Sequence, residues 1–242
     1  MDNEPTAPSA DRERTAHRFA TDGYAALGEL AHPCELDQLR QTFPTVAGAT
    51  TVAERADIAA IASRRALEPL LERCLQAAQR CQTRPLRLAY AQWYAKPPGQ
   101  SAASIPWHQD RAFWPASRPH TTTLWLALDH ADEQNGCLRV LPTSHLANTI
   151  RPHRMNASMR SCAIDEAEAP LTVSLQLEAG HAVCYHERLV HSSGANQTTR
   201  PRRALVIGYY GTGFDKASNA PETPQRAGAA PPRRPPRTTG SS

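Results

Sequence analysis

His108 and Asp110, in the stretch Trp107-His108-Gln109-Asp110, have the types and spacing of a chemical site. An alternating run over residues 86–94 precedes them and indicates a strand, and side chains two positions apart on extended backbone point the same way. The pair could therefore offer an imidazole nitrogen and a carboxylate oxygen to one metal ion. Two ligands do not hold a metal, and so short a motif also arises by chance. The hypothesis therefore requires a third ligand elsewhere in the chain.

A third ligand is available in the stretch 178–196, where Ala179-Gly180 turns into a strand and His191 ends the apolar segment that follows. A histidine at a strand end, far along the chain from a His-x-Asp pair, would complete a facial triad of two histidines and one carboxylate. Such a triad leaves three coordination positions open and is typical of non-haem Fe(II) oxygenases. His186 lies at an odd spacing from His191, which predicts that it faces away and is structural.

Three arginines follow His191 in Arg200-Pro201-Arg202-Arg203, immediately before an apolar strand pattern at 204–210. A guanidinium at a strand start can hold a carboxylate through two parallel hydrogen bonds. One cosubstrate of such iron sites carries a carboxylate at the end far from the metal. The spacing alone leaves open which arginine would bind it, and whether all three are solvated charges.

The elements that must position these residues fall into two parts. Apolar residues at helical spacing predict helices over 11–22, 35–43, 54–65 and 68–81, with a short strand at 24–27. Strand patterns then alternate with loops at 86–95, 121–128, 137–141, 171–177, 182–190 and 203–210, and the Asn135-Gly136 turn predicts a hairpin. This order predicts an α+β, mainly β fold. The strands would close into a jelly roll, a cupin-like double-stranded β-helix, flanked by N-terminal helices.

Composition predicts the domain boundaries. A chain of 242 residues, 40% of them hydrophobic, can form one substantial core, which we expect over 13–211 with a helical part at 13–81. Residues 1–12 and the Pro/Arg-rich residues 212–242 are expected to be disordered. Residues 145–170 have no strong period, and we interpret them as an excursion that covers the site.

Charge and cysteine content disfavour several classes of function. The net charge of +4 is too small to favour binding of nucleic acid. No apolar run approaches the length of a membrane span and the N-terminus does not have the pattern of a secretory signal, so we expect a cytoplasmic protein. The six cysteines form no Cys-x-x-Cys pair, which disfavours a zinc knuckle and predicts reduced thiols. The expected partner is a small-molecule substrate, with the chain as a monomer or weak homo-oligomer.

Five motifs together resemble the phytanoyl-CoA dioxygenase family of Fe(II)- and 2-oxoglutarate-dependent oxygenases. They are Trp107-His108-Gln109-Asp110, Leu124-Trp125-Leu126-Ala127-Leu128-Asp129, the run from Asn135 to His145, His191-Ser192-Ser193-Gly194-Ala195-Asn196, and Arg200-Pro201-Arg202-Arg203. They occur in order, and the resemblance extends over residues 19–210. One departure is Thr143, where the family usually has glycine in a Pro-Gly-Ser-His motif. The excursion at 145–170 is also short for the family.

The resemblance implies a role for each matching residue, on a double-stranded β-helix. His108, Asp110 and His191 would bind Fe(II), and Arg202, preferred over Arg200, would pair with the distal carboxylate of 2-oxoglutarate. The residues that match positions lining the cosubstrate pocket are Ser193, Lys96 and Trp125. The implied cofactors are Fe(II), 2-oxoglutarate as cosubstrate and O₂.

Four further residues near the metal motif have two interpretations each. Trp107, Phe113 and Trp114 either belong to the core or form walls of the substrate pocket. Arg111 either attracts an anionic substrate or is a solvated charge, which is the usual state of a surface arginine.

The retained carboxylate also predicts the outcome of the reaction. A halogenase lacks the carboxylate ligand so that halide can bind iron, whereas Asp110 is present. We therefore expect hydroxylation of an unactivated C–H bond with release of succinate and CO₂, while desaturation, epoxidation and cyclisation stay open. The expected substrate is a small or mid-sized metabolite of secondary metabolism. The alternative is a non-catalytic, metal-binding cupin-like protein; a zinc hydrolase would lack the expected general base.

Overall fold

The computed structural model describes residues 7–42, 53–54, 67–99, 104–155 and 159–211. Within these residues the α-helices are α1 (Ala7–Asp22), α2 (Pro33–Thr42) and α3 (Glu68–Gln79). The strands are β1 (Tyr24–Glu29), β2 (Ala53–Glu54), β3 (Leu86–Lys96), β4 (Ile105–His108), β5 (Thr121–Ala127), β6 (Leu138–Leu141), β7 (Arg154–Met155), β8 (Arg160–Ser161), β9 (Val173–Leu175), β10 (His181–His186), β11 (Val190–Ser193) and β12 (Arg202–Gly211).

The strands form two main antiparallel sheets. The larger sheet has the order β1-β10-β5-β12-β3-β2 and the smaller has the order β4-β11-β6-β9, while β7 and β8 pair with each other. From β4 onward the chain passes repeatedly between the sheets, with β5, β10 and β12 in the larger and β4, β6 and β11 in the smaller. Two such facing sheets form a jelly roll. The predicted fold class is therefore confirmed.

Strand β5 lies at the centre of the larger sheet, and every one of its residues is buried. Leu124 and Leu126 belong to the core between this sheet and the helices. Trp125 and Ala127 belong to the core between the two sheets. Because side chains alternate along a strand, Thr123 also faces the smaller sheet. Residues at these inward positions are the ones that can contribute to a site between the sheets.

The segment 182–190, interpreted from its pattern as one strand, forms two. Strand β10 ends at His186, a turn follows, and β11 begins at Val190 in the other sheet. The pattern hid this break because Leu189, in the turn, is fully buried and prolongs the apolar run. His186 and His191 therefore lie on different sheets. The spacing argument for His186 assumed that both histidines belong to one strand, and that assumption was wrong.

The Asn135-Gly136 turn does not form the expected hairpin, because β5 and β6 lie in different sheets. Asp132 and Asn135 each donate a backbone N–H to the other's side-chain oxygen, at 2.9 Å. Gly136 follows with φ of 82°, and a Cβ at this position would overlap the carbonyl oxygen of Gly194. The turn thus carries the chain from one sheet to the other.

The N-terminal elements differ from the prediction at their ends. Helix α1 begins at Ala7, which lies inside the region 1–12 that we expect from composition to be disordered. Pro8 does not prevent this start, because proline is tolerated in the first turn of a helix. The helices expected at 35–43 and 68–81 are present over Pro33–Thr42 and Glu68–Gln79. The helix expected at 54–65 lies outside the described residues apart from Glu54, which is in β2, and so do residues 212–242. In the part of the chain that the structure describes, the helices are too short or too polar to span a membrane.

Thr143 has φ of 65° and ψ of −10°, in the left-handed region. A β-branched residue is strained there by roughly 1–2 kcal/mol, which is why glycine suits this position. Two hydrogen bonds of the next residue, Ser144, hold the loop in this conformation. Ser144 Oγ donates to the carbonyl of Leu141 at 2.7 Å and accepts from the backbone N–H of Val190 at 2.9 Å.

Candidate metal centre

Strand pairing brings the three predicted metal ligands together. His108, the last residue of β4, lies opposite His191 of β11. Gln109 is extended, with φ of −120° and ψ of 129°, so Asp110 at the start of a short 3₁₀ helix returns to the side of His108. The Nε2 atom of each histidine lies 3.5 Å from Oδ1 of Asp110, and the three ligand atoms lie within 4.8 Å of one another. The sequence patterns did not include β4, which is separate from the strand at 86–96.

Backbone carbonyls orient both imidazoles. Nδ1 of His108 lies 2.8 Å from the carbonyl oxygen of Pro106, and Nδ1 of His191 lies 2.9 Å from that of Leu189. A carbonyl only accepts, so each Nδ1 carries the proton and each Nε2 carries the lone pair. This is the tautomer that a metal ligand requires, fixed by a hydrogen bond from the other ring nitrogen.

The protonation states also suit a metal. Burial raises the pKa of Asp110, but the neighbouring imidazoles of His191 and His108 and the hydroxyl of Thr123 outweigh it, so the pKa lies below its ordinary value. Burial, together with the nearby His108, lowers the pKa of His191 to about 4. At neutral pH the site therefore presents a carboxylate and, at position 191, a neutral imidazole, which are the forms that bind metals.

Two buried basic side chains lie between the sheets beside the triad strand. Arg202 at the start of β12 is opposite Lys96 at the end of β3, and their residues are 1% and 0% exposed. Lys96 Nζ donates to the carbonyl oxygens of Ser193, at 3.0 Å, and Gly194. Arg202 Nη2 donates to the Ser193 hydroxyl at 3.3 Å. Ser193 is two residues after His191, so β11 connects the two basic side chains to the triad.

Burial shifts the ionisation of both side chains, and within the described residues it leaves one donor of Arg202 unsatisfied. Burial, and secondarily Arg202, lower the pKa of Lys96 to about 6, while burial lowers the pKa of Arg202 to about 10. Among the residues that the structure describes, the buried Nε of Arg202 has no hydrogen-bond partner. Buried cations are costly without a counter-charge. A carboxylate placed beside Arg202 would supply one, and could use the fork of its guanidinium.

Position along the strand distinguishes the three arginines. Arg202 faces the space between the sheets, where its Cζ lies 5.5 Å from the ring centroid of Trp125. Arg203 faces the other way and binds Asp129 through two bonds of 2.8 Å. Arg200 is exposed in the loop before the strand. Of the three arginines, Arg202 alone faces the space between the sheets.

A known protein family matches this chain along most of its length. The family model described as phytanoyl-CoA dioxygenase matches residues 19–204, which is more than half of the chain. The chain belongs to the phytanoyl-CoA dioxygenase family. It is 34% identical over 134 residues to a probable alpha-ketoglutarate-dependent hypophosphite dioxygenase of Stutzerimonas stutzeri, covering 51% of this chain and 45% of that protein. The chain thus spans about half the length of that curated relative.

Solved structures of similar fold contain the family's cofactors. The protein EvdO2 from Micromonospora carbonacea var. aurantiaca, in complex with 2-oxoglutarate, superposes with a TM-score of 0.71 at 26% identity, covering 86% of this chain and 94% of that one. The epimerase SnoN, in complex with Fe³⁺, alpha ketoglutarate and nogalamycin RO, gives a TM-score of 0.63 at 25% identity over 91% of this chain and 95% of that one. The prediction of iron and 2-oxoglutarate as cofactors is therefore confirmed at the level of the family.

The four residues near the metal motif that have two interpretations each make different contacts in the structure. Phe113 lies edge-on to His108, with ring centroids 5.6 Å apart. Trp114 stacks on Tyr90 at 5.7 Å. Arg111 donates to the carbonyls of Ala116 and Arg118, at 2.8 Å each, and so closes its own loop. Trp107, next to His108 on β4, points to the opposite face.

Trp107 does not lie with the triad. It packs on a small cluster of buried residues, Leu141, Cys162 and Val190, and the guanidinium of Arg139 lies 5.4 Å from its ring centroid. Alternation along β4 explains this, because His108 faces inward and its neighbour must then face outward. Of the two interpretations of Trp107, the structure supports packing.

Two buried residues of this family member were missed by sequence reasoning. Gln109 is 1% exposed; its Nε2 donates to the carbonyl of Arg188 at 2.7 Å, and its Oε1 accepts from the N–H of Arg151 at 2.8 Å. Gln109 thereby joins the excursion at 145–170, through Arg151, to the turn between β10 and β11, through Arg188. Thr123 Oγ1 donates to Oδ2 of Asp110 at 3.3 Å. The sequence could have pointed to Gln109, because it stands between His108 and Asp110 in the motif.

Proposed function

We propose that this chain is an Fe(II)- and 2-oxoglutarate-dependent dioxygenase that hydroxylates an unactivated C–H bond of a small or mid-sized metabolite, in secondary metabolism. The observation that carries the proposal is the combination of a facial triad with two buried basic side chains on the adjoining strands. A metal-binding protein without turnover would need the triad alone. A cosubstrate that carries a carboxylate would supply a counter-charge for the buried guanidinium of Arg202.

Each residue of the site has a defined part in this proposal. His108 and His191 would hold iron through Nε2, and Asp110 through Oδ1. Arg202 would pair with the distal carboxylate of 2-oxoglutarate, and Lys96 would add a second positive charge. The contacts of Arg202 with the Ser193 hydroxyl and the Trp125 ring, already described, would keep its guanidinium in place. When bound, iron and 2-oxoglutarate supply the oxidising chemistry, with O₂ consumed and succinate and CO₂ released.

The substrate side of the site supports a metabolite with apolar surface. Phe113 lies against the ring of His108, and Trp114 stacks between Tyr90 and the guanidinium of Arg118, which lies 3.4 Å from the indole centroid. Such aromatic walls bind apolar groups, and polar groups beside them give orientation. The complex of SnoN with nogalamycin RO is consistent with a metabolite of this kind. The retained Asp110 supports hydroxylation over halogenation.

Succinate release across a panel of metabolites tests the proposal. The purified chain with Fe(II), ascorbate, 2-oxoglutarate and O₂ should release succinate above its substrate-free rate with at least one compound, and the product should gain one ¹⁸O atom from ¹⁸O₂. The matched control is Asp110→Ala, which should stay at background. If wild type and Asp110→Ala released the same succinate with every compound, turnover at this site would be refuted. A chlorinated product in the presence of chloride would refute the assignment of hydroxylation.

We also infer a cytoplasmic location and action as a monomer or weak homo-oligomer on a small-molecule substrate. All six cysteines are free thiols, and five of them are buried. Free thiols are typical of a reducing compartment. Cell fractionation and size-exclusion chromatography at several concentrations test the two inferences; a stable large assembly would contradict the second.

A further inference from the structure

The two oxygens of Asp110 have different surroundings. Oδ1 lies 3.5 Å from Nε2 of His108 and 3.5 Å from Nε2 of His191, and so belongs to the triad. Oδ2 accepts the hydroxyl of Thr123 at 3.3 Å. Thr123 belongs to β5 of the larger sheet, whereas both histidines belong to the smaller one. The carboxylate therefore has one oxygen at the metal position and the other tied to the opposite sheet.

Thr123 itself stands in a row of residues that runs across the larger sheet. Its pairing partner on β10 is Tyr185, and its partner on β12 is Gly208, whose own partner on β3 is Tyr90. A Cβ on Gly208 would overlap Cδ1, Cε1 and Cζ of the Tyr90 ring. The ring of Tyr90 therefore lies over the space that only a glycine leaves, in the row that contains Thr123.

Tyr90 and Tyr185 both lie in the row of Thr123, and the charge of Asp110 affects the pKa of both. Burial raises the pKa of Tyr90 and of Tyr185, the charge of Asp110 raises both further, and hydrogen bonding with Thr123 acts in the opposite direction. A carboxylate can only accept, so the Thr123 O–H donates to Asp110, and its oxygen stays available to accept from a phenol O–H. Tyr185 also packs on the metal side, with its ring centroid 4.7 Å from that of His191.

We propose that Thr123 is a positioning residue that holds Asp110 as a one-oxygen metal ligand, with Tyr90, seated over Gly208, and Tyr185 fixing the direction of its hydroxyl. This inference rests on the proposed function, because the metal is the ferrous ion of that site. A carboxylate without such a restraint can bind a metal through both oxygens. The second oxygen would then occupy one of the positions that 2-oxoglutarate and O₂ require.

Thr123→Val tests the proposal, because it keeps the shape of the side chain and removes the hydroxyl. The matched control is Thr122→Val, the same change at the neighbouring buried position, whose hydroxyl accepts a bond of 2.9 Å from Gln82 on the other face of the strand. Anaerobic titration of the apoprotein with Co(II) reports affinity from the absorption change, and coordination number from the intensity of the d–d bands. Circular dichroism and thermal unfolding check that each variant is folded.

Thr123→Val should bind Co(II) about 10-fold or more weakly than wild type, as is typical when a group that hydrogen-bonds a ligand is lost, and its d–d intensity should change. Thr123→Ser should restore both, and Thr122→Val should match wild type. Tyr90→Phe should shift both readouts in the same direction by a smaller factor, and it serves as the test if Thr123→Val does not fold.

Wild-type Co(II) affinity and spectrum in folded Thr123→Val would overturn the role of Thr123 while leaving the proposed function intact. A wild-type spectrum in Tyr90→Phe, together with a changed one in Thr123→Val, would show that Tyr90 does not fix the direction of the Thr123 hydroxyl. A wild-type protein that binds no Co(II) would overturn the proposed function itself.

Discussion

Replacing Lys96 by methionine should change how the stability of the apoprotein depends on pH. Burial, with Arg202 beside it, lowers the pKa of Lys96 from 10.5 to about 6. At pH 7.5 the unfolded chain therefore carries a protonated lysine where the folded apoprotein carries a neutral amine. With about 1.36 kcal/mol per pKa unit, this disfavours folding by about 4 kcal/mol at pH 7.5 and by about 1.4 kcal/mol at pH 9.5.

The sign follows from the lowered pKa. The penalty is complete below the folded pKa of about 6, decreases as pH rises, and vanishes above 10.5, so wild type should gain stability with pH. Lys96→Met removes this dependence. It also removes the donor to the carbonyls of Ser193 and Gly194, but that loss is the same at every pH. The expected result is that wild type gains roughly 2–3 kcal/mol relative to the variant between pH 7.5 and 9.5.

Urea unfolding at the two pH values, followed by tryptophan fluorescence, measures this change. Arg87→Met is the matched control, because it removes an exposed cation from the same strand; its stability should run parallel to that of wild type. Added 2-oxoglutarate should stabilise wild type and have a much smaller effect on Lys96→Met, since only wild type retains both basic side chains. Parallel pH curves for wild type and Lys96→Met would refute the reasoning about the buried cation.

Five further substitutions test the 2-oxoglutarate site, the loop at Thr143 and the aromatic residues near the triad. Arg202→Met should weaken 2-oxoglutarate binding about 10- to 100-fold, as expected for loss of a charged hydrogen bond, whereas Arg200→Met should not; calorimetric titration decides, and equal effects would contradict the assignment. Thr143→Gly should raise the free energy of unfolding by about 1 kcal/mol, because it relieves a left-handed β-branched residue and costs some chain entropy; a lower melting temperature would contradict this. Trp107→Ala should lower stability by about 2 kcal/mol with KM unchanged, whereas Phe113→Ala should raise KM, and steady-state kinetics would reveal the reverse.

The residues of the candidate triad could be found from sequence because local spacing and an apolar pattern point to them. His108 and Asp110 need only an extended residue between them, and His191 comes at the end of an apolar run. Arg202 is a harder case, since three arginines share the stretch 200–203. Its selection depends on which strand positions face inward, and alternation along β12 provides this once one inward residue is known.

The positioning residues could not be found in the same way. The contact between Thr123 and Asp110 joins two sheets, and the path from Tyr90 over Gly208 depends on the register of three strands that are far apart in the chain. Strand β5 is buried on both faces, so its pattern does not show which residues point to the site. Gly208 resembles any strand glycine until its neighbour across the sheet is known.

Anaerobic addition of Fe(II) and then 2-oxoglutarate tests the central claim most directly. If His108, Asp110 and His191 hold one ferrous ion beside the pocket of Arg202, wild type should develop a visible metal-to-ligand charge-transfer band. The band should be absent in Asp110→Ala and retained in Arg200→Met. A wild-type protein that shows no band at saturating Fe(II) and 2-oxoglutarate, or a band of full intensity in Asp110→Ala, would contradict the account.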